Sequence, residues 1–332
     1  MKISSKARIV DIKSYLPKRI LTNQELEKIV DTSDEWIVSR TGMHERRIAD
    51  ANEFPSDMGA NAAIKALNSS GILPENVELI LVATMTPDYI SPSTASVIQA
   101  KIGASNAAAM DLGAACTGFL YGLSMAKAYI ESGMYKTILV IATEKMSAFM
   151  DYQDRKTCVL FGDGAAAALI TDTGPGLSID TICLGSDGTL VDLVKIPAGG
   201  SKFPATPETI AQRAHYFQME GNEVFKHAVR RMTAAARDCL HKAGLDESQV
   251  GWLVPHQANK RIIDAIAKQF NFADENVFKT VHKYGNTSAS SIGIALDELL
   301  QENQIAEGEN LLLVAFGGGL TWGACILSKI SK

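Results

Sequence analysis

Apolar runs alternate along the chain with segments in which apolar residues recur at helical spacing. The short runs predict strands at residues 79–84, 107–112, 137–143, 165–171, 252–254, 310–316 and 321–328. The periodic segments predict helices at residues 55–70, 93–102, 117–132, 222–243, 260–270 and 288–303. This alternation of strands and helices predicts an α/β fold in which helices cover the sheets.

The two halves of the chain repeat one order of elements. Residues 62–82 (AAIKALNSSGILPENVELILV) resemble residues 235–254 (AARDCLHKAGLDESQVGWLV) in their helix, glycine, acidic turn and strand. The matching pairs, each 173 positions apart, are Gly71 and Gly244, Val77 and Val250, and Ile138 and Leu311. Any α/β protein can repeat such elements at similar intervals, but three pairs in one register favour duplication. We therefore expect two α/β halves, residues 1–174 and 175–332.

Composition and charge narrow the possible functions. The chain has 332 residues, of which 46% are hydrophobic, and a formal net charge of −5. Because the protein as a whole is negatively charged, its surface should not bind nucleic acid or anionic membranes in general. No apolar run approaches the ~20 residues that a membrane-spanning helix needs, and no signal-peptide core follows the first six residues.

The cysteines indicate a reducing compartment. Their number is odd, and none is spaced as C-x-x-C, which argues against a disulfide framework or a structural zinc site. We therefore expect a cytoplasmic protein without a bound metal. They are Cys116, Cys158, Cys183, Cys239 and Cys325.

Cys116 differs from the other cysteines in its position. It lies in residues 111–119 (DLGAACTGF), between a predicted strand and a long apolar helix. Unpaired N–H groups at a helix N-terminus favour a thiolate, so the position predicts a reactive thiol. The other four cysteines lie in apolar or helical patterns, where cysteine is usually a small core residue.

Three further loops at strand ends carry polar or flexible residues. They are residues 253–259 (LVPHQAN) with His256, residues 283–288 (KYGNTS) with Asn286, and residues 316–319 (FGGG). Each has a structural alternative: a lone histidine is often structural, Asn and Ser also cap helices, and glycines also form tight turns. Ligands of α/β sheets bind beyond the carboxyl ends of strands, so the three loops and Cys116 together predict an acyl-transfer site.

These residue types do not by themselves name the reaction. A papain-type protease also uses cysteine, histidine and asparagine in that order. Its cysteine signature, C-G-[SA]-C-[WY], is absent from this chain.

Seven motifs together resemble those of the β-ketoacyl-[acyl-carrier-protein] synthase III family, the condensing enzymes of the thiolase superfamily that initiate type II fatty acid synthesis. They are residues 32–42 (TSDEWIVSRTG), the Cys116 loop, 161–165 (FGDGA), 221–226 (GNEVFK), 256–259 (HQAN), 284–288 (YGNTS) and 315–323 (AFGGGLTWG). The resemblance covers nearly the whole chain. It implies a thiolase-like fold, with the two duplicated α/β halves forming a layered αβαβα core, and a homodimer.

The resemblance also implies a two-stage reaction without a cofactor. Cys116 would take the acyl group from an acyl-CoA, with the backbone N–H groups of Cys116 and Gly318 as the oxyanion hole. Malonyl-acyl carrier protein would then lose carbon dioxide, and its enolate would attack the acyl-cysteine. His256 and Asn286 would stabilise that enolate as two neutral donors. Thiolases use a second cysteine at this point and hydroxymethylglutaryl-CoA synthases a glutamate, and the YGNTS motif fits neither.

The same resemblance assigns substrate contacts. Trp36 and Arg155 would sandwich the adenine of CoA, and Arg40 would meet its phosphates. Gly221 and Asn259 would contact the pantetheine arm. On the active-site wall, Phe316 would promote decarboxylation, while Phe161 would line the acyl pocket.

Basic residues on an acidic protein suggest a docking surface for an acidic carrier protein. Lys226, Gln257 and Arg261 match carrier-binding positions of the family. In the predicted helix 222–243, Arg230 and Arg237 share a face with Lys226. For these two arginines, docking and a merely solvated helix face are equally good interpretations.

Ser91 departs from some relatives, which place a phenylalanine there that caps the acyl pocket from the partner subunit. A small residue predicts a deeper pocket that accepts primers longer than acetyl. Two other functions remain open on the sequence: a sister enzyme that primes polyketides or acylates another acceptor, and a catalytically silent subunit. The silent subunit is disfavoured because Cys116, His256 and Asn286 are all present.

Overall fold

The computed structural model describes residues 5–331. Strands in that range are β1 Arg8–Tyr15, β2 Arg19–Thr22, β3 Glu45–Ile48, β4 Leu79–Ala83, β5 Ala108–Leu112, β6 Thr137–Glu144, β7 Gly164–Thr171, β8 Gly176–Ser186, β9 Val194–Lys195, β10 Gln218–Met219, β11 Val250–Pro255, β12 Asn310–Gly317 and β13 Thr321–Ile330. The α-helices are α1 Asn23–Leu26, α2 Asp34–Thr41, α3 Pro55–Ser70, α4 Thr94–Ile102, α5 Gly118–Ser132, α6 Pro207–Ala211, α7 Gly221–Ala243, α8 Lys260–Gln269, α9 Val281–Tyr284 and α10 Ser291–Glu302.

The largest sheet of the described chain has two halves of the same design. Its strand order is β11-β12-β13-β8-β1-β7-β6-β4-β5, so that β8-β13-β12-β11 repeats the order β1-β7-β6-β4. In the first half Leu81 pairs in parallel with Val140, and in the second Val254 pairs with Leu313, each residue 173 positions later. The predicted duplication is therefore confirmed by strand order and register. The boundary between residues 174 and 175 lies in the turn from β7 to β8, and the division into domains stays a prediction.

The apolar strands are buried on both faces, which creates layers. Along β12, Leu311 and Leu313 pack with residues of α5 and α10, whereas Leu312 and Val314 pack with residues of α7 and α8. Successive side chains of a strand point to opposite faces, so a continuous apolar run requires cover on both sides. The helix pair α5 and α10 is thus the middle layer of the molecule.

The first half follows the same rule. Leu79 and Leu81 of β4 face the middle helices, and Ile80 and Val82 pack with α3 and α4. From one side of the molecule to the other, the layers are α3 and α4, the first half of the sheet, α5 and α10, the second half of the sheet, and α7 and α8. This is the αβαβα arrangement that the resemblance implies.

Each predicted strand and helix is present within a few residues of its predicted bounds, but two central strands were not predicted. β1 (RIVDIKSY) and β8 (GLSIDTICLGS) join the halves through pairing of Arg8 with Ser178 and Ile9 with Leu177. Polar residues interrupt the apolar pattern of both strands, because only some of their positions are buried. Among residues 5–331, no helix is long and apolar enough to cross a membrane.

Replacing Leu313 by alanine tests the two-faced burial of β12. The side chain is fully buried, and loss of such a leucine costs about 3 kcal/mol of unfolding free energy through lost transfer energy and a new cavity. Urea unfolding followed by circular dichroism measures the change. Leu73→Ala is the control, since Leu73 is 55% exposed and its loss should cost less than about 0.5 kcal/mol. Equal losses in both variants would contradict the layered packing.

Candidate active site

The centre of the site is a pair of equivalent turns, one from each half. Short 3₁₀ turns, Ala115–Thr117 and Ser288–Ser290, precede α5 and α10. The first residue of each turn has a positive φ, 45° for Ala115 and 51° for Ser288, and the two residues are 173 positions apart. Residues other than glycine rarely adopt this region. The two turns bring the Sγ atom of Cys116 to 3.5 Å from the Oγ atom of Ser288.

Glycines let backbone segments approach this pair of turns closely. A Cβ atom on Gly317, at the end of β12, would lie 2.7 Å from the backbone nitrogen of Cys116. A Cβ atom on Gly118 would lie 2.7 Å from that of Ala83. Neither distance is compatible with a side chain, so these glycines are required by packing. Gly317 and its neighbour Gly318 can therefore lie directly beside the nucleophile.

The Cys116 thiol is protonated at rest, contrary to the direction expected from its helix position. Burial, and to a smaller extent the nearby Glu144 carboxylate, raises the pKa of the Cys116 thiol to about 12. The N-terminus of α5 favours a thiolate, but desolvation outweighs it. The thiol therefore needs a partner that takes its proton during attack.

His256 follows β11 and is held by a buried serine. Its backbone N–H donates to the Val314 carbonyl at 2.8 Å, and its Nδ1 atom lies 2.6 Å from Ser291 Oγ. Burial lowers the pKa of His256 to about 3, so the ring is neutral and carries one proton. The Ser291 hydroxyl accepts the Gln257 N–H at 3.3 Å and is free to donate its own hydrogen to Nδ1. When the Ser291 hydroxyl donates to Nδ1, the ring proton sits on Nε2 and His256 is a neutral donor.

Asn286 is oriented in a similar way. Its backbone N–H donates to the Leu160 carbonyl at 2.8 Å, and its carbonyl accepts the Gly162 N–H at 3.1 Å. The side-chain Oδ1 atom accepts the backbone N–H of Ser288 at 2.9 Å. With Oδ1 engaged, the Nδ2 group is the end of the amide left to donate. Asn286 is thus a second neutral donor.

One cavity of about 1130 Å³ contains these groups and runs to the surface. The predicted residues that line it are Cys116, His256, Asn286, Phe161, Phe316, Gly318, Trp36, Arg40, Arg155, Gly221, Asn259, Lys226 and Arg261. Phe161 packs edge-on against Phe217 with ring centres 4.8 Å apart, and both rings line the cavity. The structure therefore brings nearly all of the predicted site residues together.

The mouth of the cavity is aromatic and basic. The guanidinium groups of Arg40 and Arg155 lie 4.9 and 5.2 Å from the centre of the Trp36 ring. Asn259 caps α8 and donates to the Arg40 carbonyl at 3.1 Å. These contacts place a flat aromatic surface and two positive charges where an anionic, ring-bearing ligand can bind.

Gln257 is not a surface residue, so its predicted contact with a carrier protein is wrong. The side chain is fully buried. Its Nε2 group donates to the carbonyls of Pro255 and Phe278, and its Oε1 atom accepts the N–H groups of Thr280 and Val281. The residue holds the His256 loop against the segment before α9, and no polar atom remains for a partner.

Three other predicted positions lie away from the cavity of the described chain. Ser91 is exposed on the loop before α4 and does not line the cavity of its own chain. Beside it, Ile90 is 90% exposed. Arg230 and Arg237 lie on α7 outside the cavity lining, where Arg230 contacts His227 and Arg237 stacks near Phe270.

Three site residues were missed by the sequence reasoning. Ser288 lies in the predicted loop 283–288 but had no role assigned to its side chain, and Ser291 follows it in the segment NTSASS, where serines are typical of a helix cap. Glu144 ends the apolar strand β6 and is fully buried. A lone acidic residue closing an otherwise apolar run was the available signal, since an unpaired buried charge is costly.

The chain matches known proteins over nearly its whole length. Residues 110–188 match the family model described as 3-oxoacyl-[acyl-carrier-protein (ACP)] synthase III, and residues 240–329 match its C-terminal model. β-Ketoacyl-[acyl-carrier-protein] synthase III of Chlamydia trachomatis serovar D is 59% identical over 318 residues, which is 96% of this chain and 97% of that protein.

Solved structures agree with the sequence comparison. The synthase III structure from Aquifex aeolicus has a TM-score of 0.89 and 45% identity, covering 97% of this chain and 99% of that one. The priming β-ketosynthase of the R1128 polyketide pathway has a TM-score of 0.90 and 34% identity, covering 100% and 98%. The site geometry, the family models and these relatives agree, and the chain belongs to the β-ketoacyl-[acyl-carrier-protein] synthase III family.

Proposed function

We propose that this site condenses an acyl-CoA primer with malonyl-acyl carrier protein to give 3-oxoacyl-carrier protein, carbon dioxide and CoA. The single observation that carries the proposal is the combination of one thiol with two neutral hydrogen-bond donors in one cavity. The thiol is that of Cys116, and the donors are His256 and Asn286. A carboxylate in place of either donor would repel the negative charge that develops on an enolate.

In the first stage Cys116 attacks the acyl-CoA carbonyl. The backbone N–H groups of Cys116 and Gly318 stabilise the tetrahedral oxyanion, which the close approach of Gly317 to the Cys116 backbone makes possible. The bond from the acyl carbon to the CoA sulfur breaks, and the acyl group remains on Cys116 as a thioester.

In the second stage malonyl-acyl carrier protein occupies the same cavity. The Nε2–H of His256 and the Nδ2–H of Asn286 donate to its thioester carbonyl and stabilise the enolate left by loss of carbon dioxide. Phe316, which is buried beside the cavity, offers the malonyl carboxylate no hydrogen bond and so favours its departure. The enolate attacks the acyl-cysteine, and no cofactor takes part.

The mouth is suited to CoA and to the arm of a carrier protein. Trp36 with Arg155 holds the adenine, Arg40 the phosphates, and Gly221 and Asn259 the pantetheine. Lys226, whose side chain is 69% exposed, and Arg261 lie at the cavity rim. Their charge steers the acidic carrier protein to the opening.

A homodimer explains both the sheet edge and the position of Ser91. Strand β5 is the last strand of the sheet, and its outer edge pairs with no other described strand. Such an edge is a template for a second copy of the chain. The Asp111 carboxylate of β5 accepts the N–H groups of Thr94 and Ala95 at 2.7 and 2.8 Å. Pairing of two β5 strands would therefore carry the Ser91 loop of one subunit toward the other.

Alanine substitution of His256 or Asn286 separates the two stages. Intact-protein mass spectrometry should still show acylation of Cys116, while condensation falls about 100-fold or more. His282→Ala is the control, because His282 is exposed and outside the cavity. Loss of acylation in all three variants, or full condensation without either donor, would contradict the proposed division of roles.

The primer range tests the open acyl pocket at Ser91. With acyl-CoA primers of increasing chain length, the native protein should accept primers longer than acetyl, and Ser91→Phe should restrict it to short ones by filling the pocket. Single-turnover acylation of Cys116 gives the rate for each primer. Ser132→Phe, at an exposed position at the end of α5, should leave the profile unchanged. Sole use of acetyl-CoA by the native protein would remove the basis of this prediction.

Reversing the charge of Lys226 or Arg261 should weaken carrier docking. We expect the KM for malonyl-acyl carrier protein to rise about tenfold, which corresponds to about 1.4 kcal/mol, with little change for malonyl-pantetheine, which lacks the protein. Lys268→Glu is the matched control, because Lys268 is exposed on the same helix as Arg261 but outside the cavity. An equal effect on both malonyl donors would assign these residues to the thioester arm.

A further inference from the structure

Glu144 is a buried carboxyl group that has no role in the two-stage reaction described above. It is fully buried at the end of β6. Its oxygens accept hydrogen bonds from the hydroxyls of Thr84 and Thr86, from the backbone N–H of Met85 and from the hydroxyl of Ser288. Within residues 5–331 it forms no ion pair with a lysine or arginine.

These contacts give the hydrogen-bond chain a direction. An ionised carboxylate only accepts, so the Ser288 hydroxyl must donate to Glu144 Oε1, from which its oxygen lies 2.9 Å away. The lone pairs of the same oxygen are then free to accept the S–H of Cys116 at 3.5 Å. The chain runs from thiol to hydroxyl to carboxylate, which is the direction needed to deprotonate Cys116.

The duplication explains how Glu144 comes to be there. Glu144 ends β6 and Gly317 ends β12, and the two residues are 173 positions apart. Gly317 packs on the Cys116 turn, and Glu144 contacts Ser288 in the equivalent turn of the other half. The end of β12 therefore contacts the backbone nitrogen of Cys116, and the end of β6 is connected to the Cys116 sulfur through the Ser288 hydroxyl.

The surroundings of Glu144 allow it to gain and lose a proton near neutral pH. Burial raises the pKa of Glu144 to about 7, although its hydrogen bonds with Thr86, Met85, Ser288 and Thr84 oppose the rise. The titratable group that faces it is the Cys116 thiol, across Ser288. Its neighbour Lys145 instead donates to the backbone carbonyls of residues 50 and 53.

We propose that Ser288 and Glu144 form a proton relay for Cys116. Glu144 acts through Ser288: it receives the thiol proton when Cys116 is acylated, keeps it while the acyl group is bound, and returns it when condensation releases Cys116. This inference rests on the proposed function, because it assigns a path to the proton that the acyl transfer must move.

The proton and charge balance close over the two stages. During acylation the S–H bond breaks, its proton passes to Ser288 Oγ, and the original Ser288 hydrogen passes to Glu144. The sulfur forms a bond to the acyl carbon, and CoA leaves as a thiolate that takes a proton from water. During condensation carbon dioxide leaves, the enolate attacks, and the Cys116 sulfur departs with the electron pair. It recovers its proton from Glu144 through Ser288, which restores the thiol and the carboxylate.

Glu144→Gln distinguishes a relay from a purely electrostatic effect, because the two predict opposite changes. A carboxylate disfavours a nearby thiolate, so its removal without a relay should speed acylation. Loss of a relay should slow acylation at about pH 8 by about 100-fold. The native rate should rise through about pH 7 as Glu144 ionises, whereas the variant should lack this rise and increase only as the thiol itself ionises.

The measurement is single-turnover acylation of Cys116 by acetyl-CoA between about pH 5.5 and pH 9, followed by intact-protein mass spectrometry. Asp163→Asn is the matched control: Asp163 is another buried carboxyl group, but it bonds to Ser147 and Ala49. It should leave the shape of the pH profile unchanged. Circular dichroism establishes that each variant is folded.

Ser288→Ala keeps the test decisive if the glutamine variant does not fold. It removes the hydroxyl but keeps the backbone N–H that orients Asn286, and it should abolish the same rise near pH 7. Ser290→Ala is its control, since the Ser290 hydroxyl donates to the Thr287 carbonyl. Equal or faster acylation in the Glu144 or Ser288 variant, or an unchanged pH profile, would overturn the relay alone. Absence of acylation in the native protein would instead overturn the proposed function.

Discussion

The packing of α5 against α10 between the two halves of the sheet is the contact on which the active site depends. A Cβ atom on Gly118 of α5 would lie 3.5 Å from that of Ala289, and one on Gly293 of α10 would lie 3.5 Å from the Phe119 ring. These distances are ordinary van der Waals contacts, and the two helices share one hydrophobic core. Because both halves share one register, the turns at the helix N-termini meet, and Cys116 of one half reaches Ser288 of the other.

Burial is the second consequence of that packing, and it decides the protonation states. It keeps His256 neutral and Cys116 protonated, and it raises the pKa of Glu144 to about 7. A neutral histidine suits a step in which negative charge appears on a substrate oxygen, because its Nε2–H donates a hydrogen bond to that oxygen. A protonated thiol, by contrast, must pass its proton on before it can attack. The burial that keeps His256 neutral for condensation therefore also makes acylation depend on a group that accepts the Cys116 proton.

Neighbouring residues of one motif show how far the sequence could predict the site. His256 and Gln257 stand side by side after β11, and the motif HQAN marks both as functional. His256 lines the cavity, whereas Gln257 is fully buried and bonds to four backbone groups. The direction of each side chain beyond a strand end depends on the segment packed against it, here the one before α9. That segment is distant enough in sequence that no local pattern identifies it.

The sequence by itself determined the α/β class, the duplication and the residue types of the site, because apolar runs and motif spacing are local properties. Tertiary structure decided the rest. The meeting of the Ala115 and Ser288 turns depends on packing between the halves, and the tautomer of His256 depends on Ser291, which is 35 residues away in sequence. The strands β1 and β8 join those halves through few paired residues. Their polar residues interrupt the apolar runs by which a strand is predicted from sequence. The pKa of Cys116 moved opposite to the direction expected from its helix position, since desolvation is a property of the folded molecule and not of the chain.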